Sequence, residues 1–226
     1  MLGQLVCEAG GRGRPEPGRL YGLSVLRGTV DPSGFFGEGR LRRAVRGLRR
    51  EGVLRVLAAP GFDRWPLLAS FGLRPVDVSG FVRGQAVPLT LAALERQDIP
   101  PDRSTVALRG VRADRDMARA AAELCPRVRR LVIDAPRGGA ELAEWLRREF
   151  GVPVLPGGER GTVALSFQAG RPAPEEFSLE LYGPRPALAG LTLSVPRLAE
   201  IDREDLPLLA ALWEGGKLAP KDIKIT

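Results

Sequence analysis

The period of hydrophobic and polar positions changes along the chain, and each change marks an element. Leu41, Ala44, Val45 and Leu48 recur at helical spacing between Glu38 and Glu51. Arg40, Arg42, Arg43, Arg46, Arg49 and Arg50 take the remaining circumference. The spacing predicts an amphipathic helix with a basic outer face, closed by Gly52 as its C-cap. VLRVLAAPGF then predicts a buried strand running into a turn. Upstream, QLVCEAG and RLYGLSVLRG read as two extended pieces around the loop GRGRPEPG, a hairpin whose tip carries Arg12, Arg14 and Arg19. Downstream, DRWPLLASF predicts a short helix capped by Asp63, with Pro66 tolerated in its first turn, and LRPVDV a short strand. Residues 81–97 read as a helix that Pro88 bends or interrupts. The proline-bearing stretch IPPDRS is the expected boundary between an N-terminal α/β half, 1–100, and a second half, 101–226.

The second half alternates strands with helices. TVALR, ending at Gly110, is followed by a helix opened by Asp114, with Met117, Ala121, Leu124 and Cys125 inward and Pro126 as its stop. RLVID and the turn APRGG lead to a helix over Glu141 to Phe150, with Leu142, Trp145, Leu146 and Phe150 inward, and VPVL follows as a third strand. Strands separated by helices of this length imply a parallel sheet with right-handed crossovers. Farther on, GTVALSFQAG and SLELYG alternate on either side of an RPAPEEF loop and predict an antiparallel hairpin on the sheet edge. LTLSV adds a strand, and DREDLPLLAALWEGG predicts a helix capped by Asp202 with Leu206, Leu209, Ala210 and Trp213 on its inner face. The tail KLAPKDIKIT reads as an edge strand. The expected fold is a Rossmann-like, three-layer α/β architecture, its mostly parallel sheet flanked by N- and C-terminal hairpins.

The run VALRG…ARAAAELCPRVRRLVID carries a loose resemblance, over residues 104–155, to the NAD(P)-binding half of shikimate dehydrogenase-type oxidoreductases. That resemblance implies a dinucleotide pyrophosphate seated on the first helix N-terminus through a G-x-G-x-x-G turn. This chain has RGVRAD there, with Gly110 alone, and the side chains of Val111, Arg112, Ala113 and Asp114 would crowd the turn. Asp134, 24 residues after Gly110 at the end of the second strand, matches the place of the ribose-binding acid. It also fits ordinary turn chemistry. The dehydrogenase activity would further require a catalytic lysine and aspartate in a preceding substrate domain, yet no lysine precedes Lys217.

Composition narrows the chemistry further. The 226 residues include no histidine, which removes the commonest general base and metal ligand. Cys7 and Cys125 lack the spacing of a disulfide framework or a zinc site, so no metal and no catalytic residue is assigned. The longest charge-free stretches are eleven residues, too short for a membrane span, and MLGQLVCE does not read as a secretory signal. A cytoplasmic location is the expectation. Of the formal charge of +7, residues 1–60 contribute 11 Arg against 5 acids. The excess is nearly all arginine, in a chain rich in Ala, Gly and Pro, as coding bias in a GC-rich bacterial genome produces.

Ligands of parallel sheets gather at the C-terminal strand ends. Arg109, Gly110, Arg112, Asp134, Arg137, Gly138 and Gly139 are the residues expected there, their arginines pairing with a carboxylate or phosphate where the glycines are missing. The expected function is a non-catalytic Rossmann-like protein that binds a small anion or a protein partner. One alternative is an NAD(P)-dependent oxidoreductase; another is nucleic-acid binding through Arg42, Arg43, Arg46, Arg49 and Arg50.

Overall fold

The computed structural model describes residues 1–31, 33, 36–170 and 177–226, so most of the RPAPEEF stretch lies outside the described residues. The chain is α/β, with two five-stranded, mostly parallel sheets, one in each of two compact units. Met1–Asp77 and Pro196–Asp222 form the first unit; Val78–Val195 and Ile223–Thr226 form the second.

In the first unit the strands are β1 (Leu2–Cys7), β2 (Arg12–Leu20), β3 (Leu23–Val30), β4 (Arg55–Ala58) and β5 (Arg74–Pro75), in the order β2-β3-β1-β4-β5. The segment GRGRPEPG, expected as a loop, is most of strand β2. It is an edge strand, where Pro15 and Pro17 need supply no ladder hydrogen bond. The hairpin is therefore β2–β3, while the two expected extended pieces, β1 and β3, pair in parallel. Its two-residue turn places Tyr21 at φ 47° and Gly22 at φ 84°, the signs that a type I′ turn requires. Tyrosine is an unfavourable choice there, and it is held by its hydroxyl, which donates to Asp202 Oδ2 at 2.6 Å.

Helix α1 (Gly37–Arg50) carries the chain from β3 to β4 and buries Leu41, Ala44, Val45 and Leu48, as its spacing predicts. These join Leu5, Val30, Val56 and Leu68 in one apolar cluster. Helix α2 (Trp65–Ser70) has Pro66 in its first turn, but Arg64, not Asp63, sits at the N-cap and no side chain caps it. Asp63 instead faces Arg64 across 3.5 Å at the surface.

The second unit opens with α3 (Ser79–Gly84) and α4 (Ala86–Arg96), the helical stretch expected over 81–97 being interrupted rather than bent. The break at Gln85 has a direct cause: a helical Pro88 ring would strike the Gly84 carbonyl four residues earlier. Strands β6 (Thr105–Arg109), β7 (Arg130–Asp134), β8 (Val154–Leu155), β9 (Val163–Ser166) and β10 (Ser178–Glu180) follow, with α5 (Arg115–Leu124) and α6 (Gly139–Phe150) as crossovers. All five strands are parallel, in the order β10-β9-β6-β7-β8. Relabelled from β6 onward this is 5-4-1-2-3, the Rossmann order, with its switch point between β6 and β9. The antiparallel hairpin expected across residues 163–180 is thus a parallel pair. The C-terminal antiparallel pair is instead β11 (Leu193–Ser194) with β12 (Lys224–Ile225).

Asp114 caps α5, accepting from the Met117 N–H at 3.0 Å. Met117, Ala121, Leu124 and Cys125 are buried beneath it, and burial pushes the Cys125 thiol up to about 11, which suits a core residue. On α6, Leu142 and Leu146 are buried, but Trp145 and Phe150, expected inward, are each about 40% exposed. They meet edge to face with ring centroids 5.7 Å apart, so each covers part of the other's apolar surface.

No helix links β8 to β9. Leu155 is level with Val132 and hence with Ala107, while Val163 is level with Val106, so β8 ends about where β9 begins. Three strand spacings of about 4.8 Å separate them, within the reach of a seven-residue strap, 156–162. Close approach demands small residues: a Cβ on Gly161 would lie 2.9 Å from the Ala107 nitrogen, and Ala107, Val132 and Ala164 form the small cluster on the sheet there.

Helix α7 (Leu206–Glu214) groups with the first unit and buries a continuous run, Leu208 to Leu212, rather than the single stripe expected. Asp205, not Asp202, takes its N-cap position. Burial pushes the Asp205 carboxyl up to about 6; the Leu208 N–H opposes this, and the Asp202 charge adds to it. The folded state therefore holds this proton more tightly than an unfolded chain, whose aspartate titrates near 4. Asp205 contributes fully at low pH, and stability declines as pH rises from about 4 through 6. Asp205→Asn keeps a good N-cap residue and should stabilise the protein at pH 7.5 by about 1 kcal/mol after solvent screening, with no gain at pH 4. Urea unfolding at the two pH values checks both halves of this expectation.

Candidate functional site

Parallel register builds the site. Arg109 pairs with Asp134 on one side and with Ser166 on the other, so the three lie in one row across β7, β6 and β9 and project from the same face. The row closes the C-terminal ends of the three strands and forms the floor of a cavity of about 580 Å³. Gly157 and Gly158 of the strap and Gly110, Val111 and Gln168 of the strand-end loops complete its walls.

Arg109 is only 6% exposed. Its Nη1 is bonded to Asp134 Oδ2, and its Nη2 donates to the Glu159 carbonyl at 2.9 Å, tying the sheet to the strap. Gly157 passes Asp134 so closely that a Cβ there would sit 3.1 Å from Oδ1. Ser166, 8% exposed, faces the cavity, and its hydroxyl has no hydrogen-bond partner among the described residues.

Gln168 explains what has become of the phosphate turn. Its Oε1 accepts from the backbone N–H groups of both Val111 and Arg112, each at 3.1 Å. Its Nε2 donates to Asp114 Oδ2 at 2.8 Å. The amides that a Rossmann dinucleotide would use are therefore bonded within the chain, beside a carboxylate that already caps α5. A pyrophosphate does not fit this turn as it stands: it would have to displace the carboxamide and approach Asp114.

Of the residues anticipated from sequence, Arg109, Gly110 and Asp134 line the cavity. Arg112 and Arg137 form a bridge between neighbouring loops, reinforced by the Ala113 N–H donating to the Arg137 carbonyl at 2.8 Å. Both arginine side chains are exposed and have no ion-pair partner among the described residues. Gly138 is the left-handed N-cap of α6, and Gly139 lines an adjoining cavity of about 410 Å³ with Ala143 and Arg147, sharing Asp134 and Gly157 with the first.

Sequence reasoning missed Ser166, Gln168 and the strap glycines. It also missed Arg83, which donates to the Phe167 carbonyl at 2.7 Å and lies within 3.9 Å of Asp114 and Asp116, pinning α3 to this end of the sheet. In the first unit, Arg42, Arg43, Arg46, Arg49 and Arg50 are all exposed on α1. Among the described residues no group of three or more His, Cys, Asp or Glu is placed to hold a metal ion, and no helix is long and apolar enough to cross a membrane.

No family model and no curated protein matches the chain. Solved structures similar to it are L-tryptophan dehydrogenase from Nostoc punctiforme (14% identity, TM-score 0.34), a glutamate dehydrogenase (15%, 0.26) and Rhodotorula graminis D-mandelate dehydrogenase (12%, 0.33). Each match covers 73% of this chain but only 55%, 51% and 64%, respectively, of the other, so the chain spans less than two thirds of each.

Proposed function

We propose that the second unit is a Rossmann-like binding module that takes a small anion, a carboxylate or phosphate compound, at its strand ends and does no redox chemistry there. The observation that carries this reading is the Gln168 carboxamide seated on the Val111 and Arg112 amides. With those donors satisfied, recognition passes to side chains: the Ser166 hydroxyl inside the cavity, which has no partner among the described residues, and the exposed Arg112 and Arg137 on its neighbouring loops. Arg109 is paired with Asp134, so the two together present a dipole rather than a free cation. Among the described residues, the other lining groups, which include glycines, proline, serine and glutamine, offer no general base beyond Asp134, which is occupied by Arg109.

The test is a thermal-shift and calorimetric panel of inorganic phosphate, dicarboxylates, sugar phosphates, ADP, NAD+ and NADP+. A binding anion at about a hundredfold over its Kd should add about 2.7 kcal/mol to stability. Arg112→Gln/Arg137→Gln should abolish that gain. Stabilisation by NAD+ or NADP+ beyond that by their phosphate fragments would restore the oxidoreductase reading. If no anion in the panel stabilises the protein, the small-anion reading falls and a protein partner takes its place.

A further inference from the structure

The first unit carries a surface that the cavity of the second does not use. Five arginines, Arg42, Arg43, Arg46, Arg49 and Arg50, lie on the exposed side of α1, opposite the buried Leu41, Ala44, Val45 and Leu48. Only Arg42 has an ion-pair partner among the described residues, Glu38 at 2.7 Å, and both members of that pair are more than half exposed. An exposed pair of this kind is easily exchanged for another. Arg46 lies over the Phe71 ring at 5.9 Å, which holds one guanidinium flat against the surface. Residues three and four apart on a helix stand about 5–6 Å from one another, so the face is a regular row of like charges that repel unless an anion lies across them.

The helix lies close against β2. Gly47 passes so close to Pro15 that a Cβ there would meet its ring at 2.6 Å, and Gly13 approaches the Arg40 carbonyl equally tightly. A fixed row of point charges a helical turn apart complements a polymer of closely spaced phosphates better than a single small anion. From this charge complementarity we infer that the α1 face binds the sugar-phosphate backbone of nucleic acid, without reading base sequence. Helix α1 itself carries no aromatic residue, and the Phe71 ring beside it is covered by Arg46, so among the described residues the row offers no open ring to stack a base, which favours duplex backbone over splayed single strands.

The experiment uses the full chain and fluorescein-labelled 20-base-pair duplexes of two unrelated sequences, with anisotropy followed from 20 to 300 mM salt. Both duplexes should bind alike, with log K falling linearly against log salt. The triple variant Arg43→Gln/Arg46→Gln/Arg50→Gln keeps helix propensity and should weaken binding at least tenfold, lowering the salt slope by about one per arginine removed. A matched variant removes the same charge from exposed arginines of the other unit that have no ion-pair partner among the described residues: Arg127→Gln/Arg129→Gln/Arg130→Gln. It should bind within about twofold of the parent. Circular dichroism confirms that both variants fold. Absence of binding at 20 mM salt overturns the inference, as does equal weakening by the two triple variants, which would reduce it to net charge. Preferential binding to vesicles of 30% phosphatidylserine over duplex would also overturn it, in favour of a lipid surface.

Discussion

Arg109→Met should destabilise the protein by about 3 kcal/mol, the low end of the range for breaking a buried ion pair. The guanidinium is almost fully buried, whereas the Asp134 side chain is 34% exposed. Removing the arginine leaves that carboxylate without its partner and the Glu159 carbonyl without this donor. Water at the cavity mouth relieves part of the loss, which is why the upper end of the range is not expected. Asp134→Asn is the milder change, about 1 kcal/mol, because an amide oxygen still accepts from Arg109. The double variant should recover part of the arginine loss, since two neutral side chains need no pairing. A double-mutant cycle by urea unfolding separates this coupling from general damage; strict additivity would mean that the pair does not act as a unit.

Gly13→Ala should cost about 3 kcal/mol as well, for reasons rooted in the backbone. Gly13 sits at φ +73°, where the register of β2 against β3 shifts between Arg12 and Pro15. A bulge with a left-handed glycine is the ordinary solution there, and an L residue pays about 1 kcal/mol or more for the same conformation. An added Cβ would also stand 2.7 Å from the Arg40 carbonyl, a backbone atom of α1 that cannot rotate aside. The helix must lift off the strand. Thermal unfolding should show the loss, and Gly10→Ala gives a comparison: its φ is +79° but nothing lies within 4 Å of its would-be Cβ. A Gly13 loss no larger than that at Gly10 would assign the whole effect to the dihedral angle.

Periodicity made much of this fold legible. The four buried positions of α1, the inner stripe of α5, and strands β6 and β7 follow from spacing alone, because burial on one side of an element leaves a repeat in the sequence. Pairing direction leaves no such mark. Val163, Leu165 and Phe167 alternate with Thr162, Ala164 and Ser166 as they would in an edge hairpin, yet β9 is a central strand, buried on both faces and parallel to its neighbours. The misread direction hid half of the site, for only a parallel β9 in this register brings Ser166 beside Arg109.

Composition misled at β2. Proline and glycine argue for a loop unless the segment is known to be a sheet edge, and that is a property of the neighbouring strands. Gln168 was beyond any local reading, because its role depends on amides 56 and 57 residues away. What the sequence did disclose was the gap it fills, a phosphate turn without its glycines.

The strap between β8 and β9 makes ligand size a matter of chain length. A crossover helix would stand off the sheet on bulky side chains, with its own cap and core to maintain. Here a seven-residue segment roofs the Asp134, Arg109 and Ser166 row, and the small residues beneath it fix how low it lies. Residues inserted beside Gly158 would raise the roof while leaving the strands untouched; a bulkier residue at Ala107 or Gly161 would tilt it from below. Within one scaffold, the dimensions of the chamber can therefore drift separately from the charges on its floor.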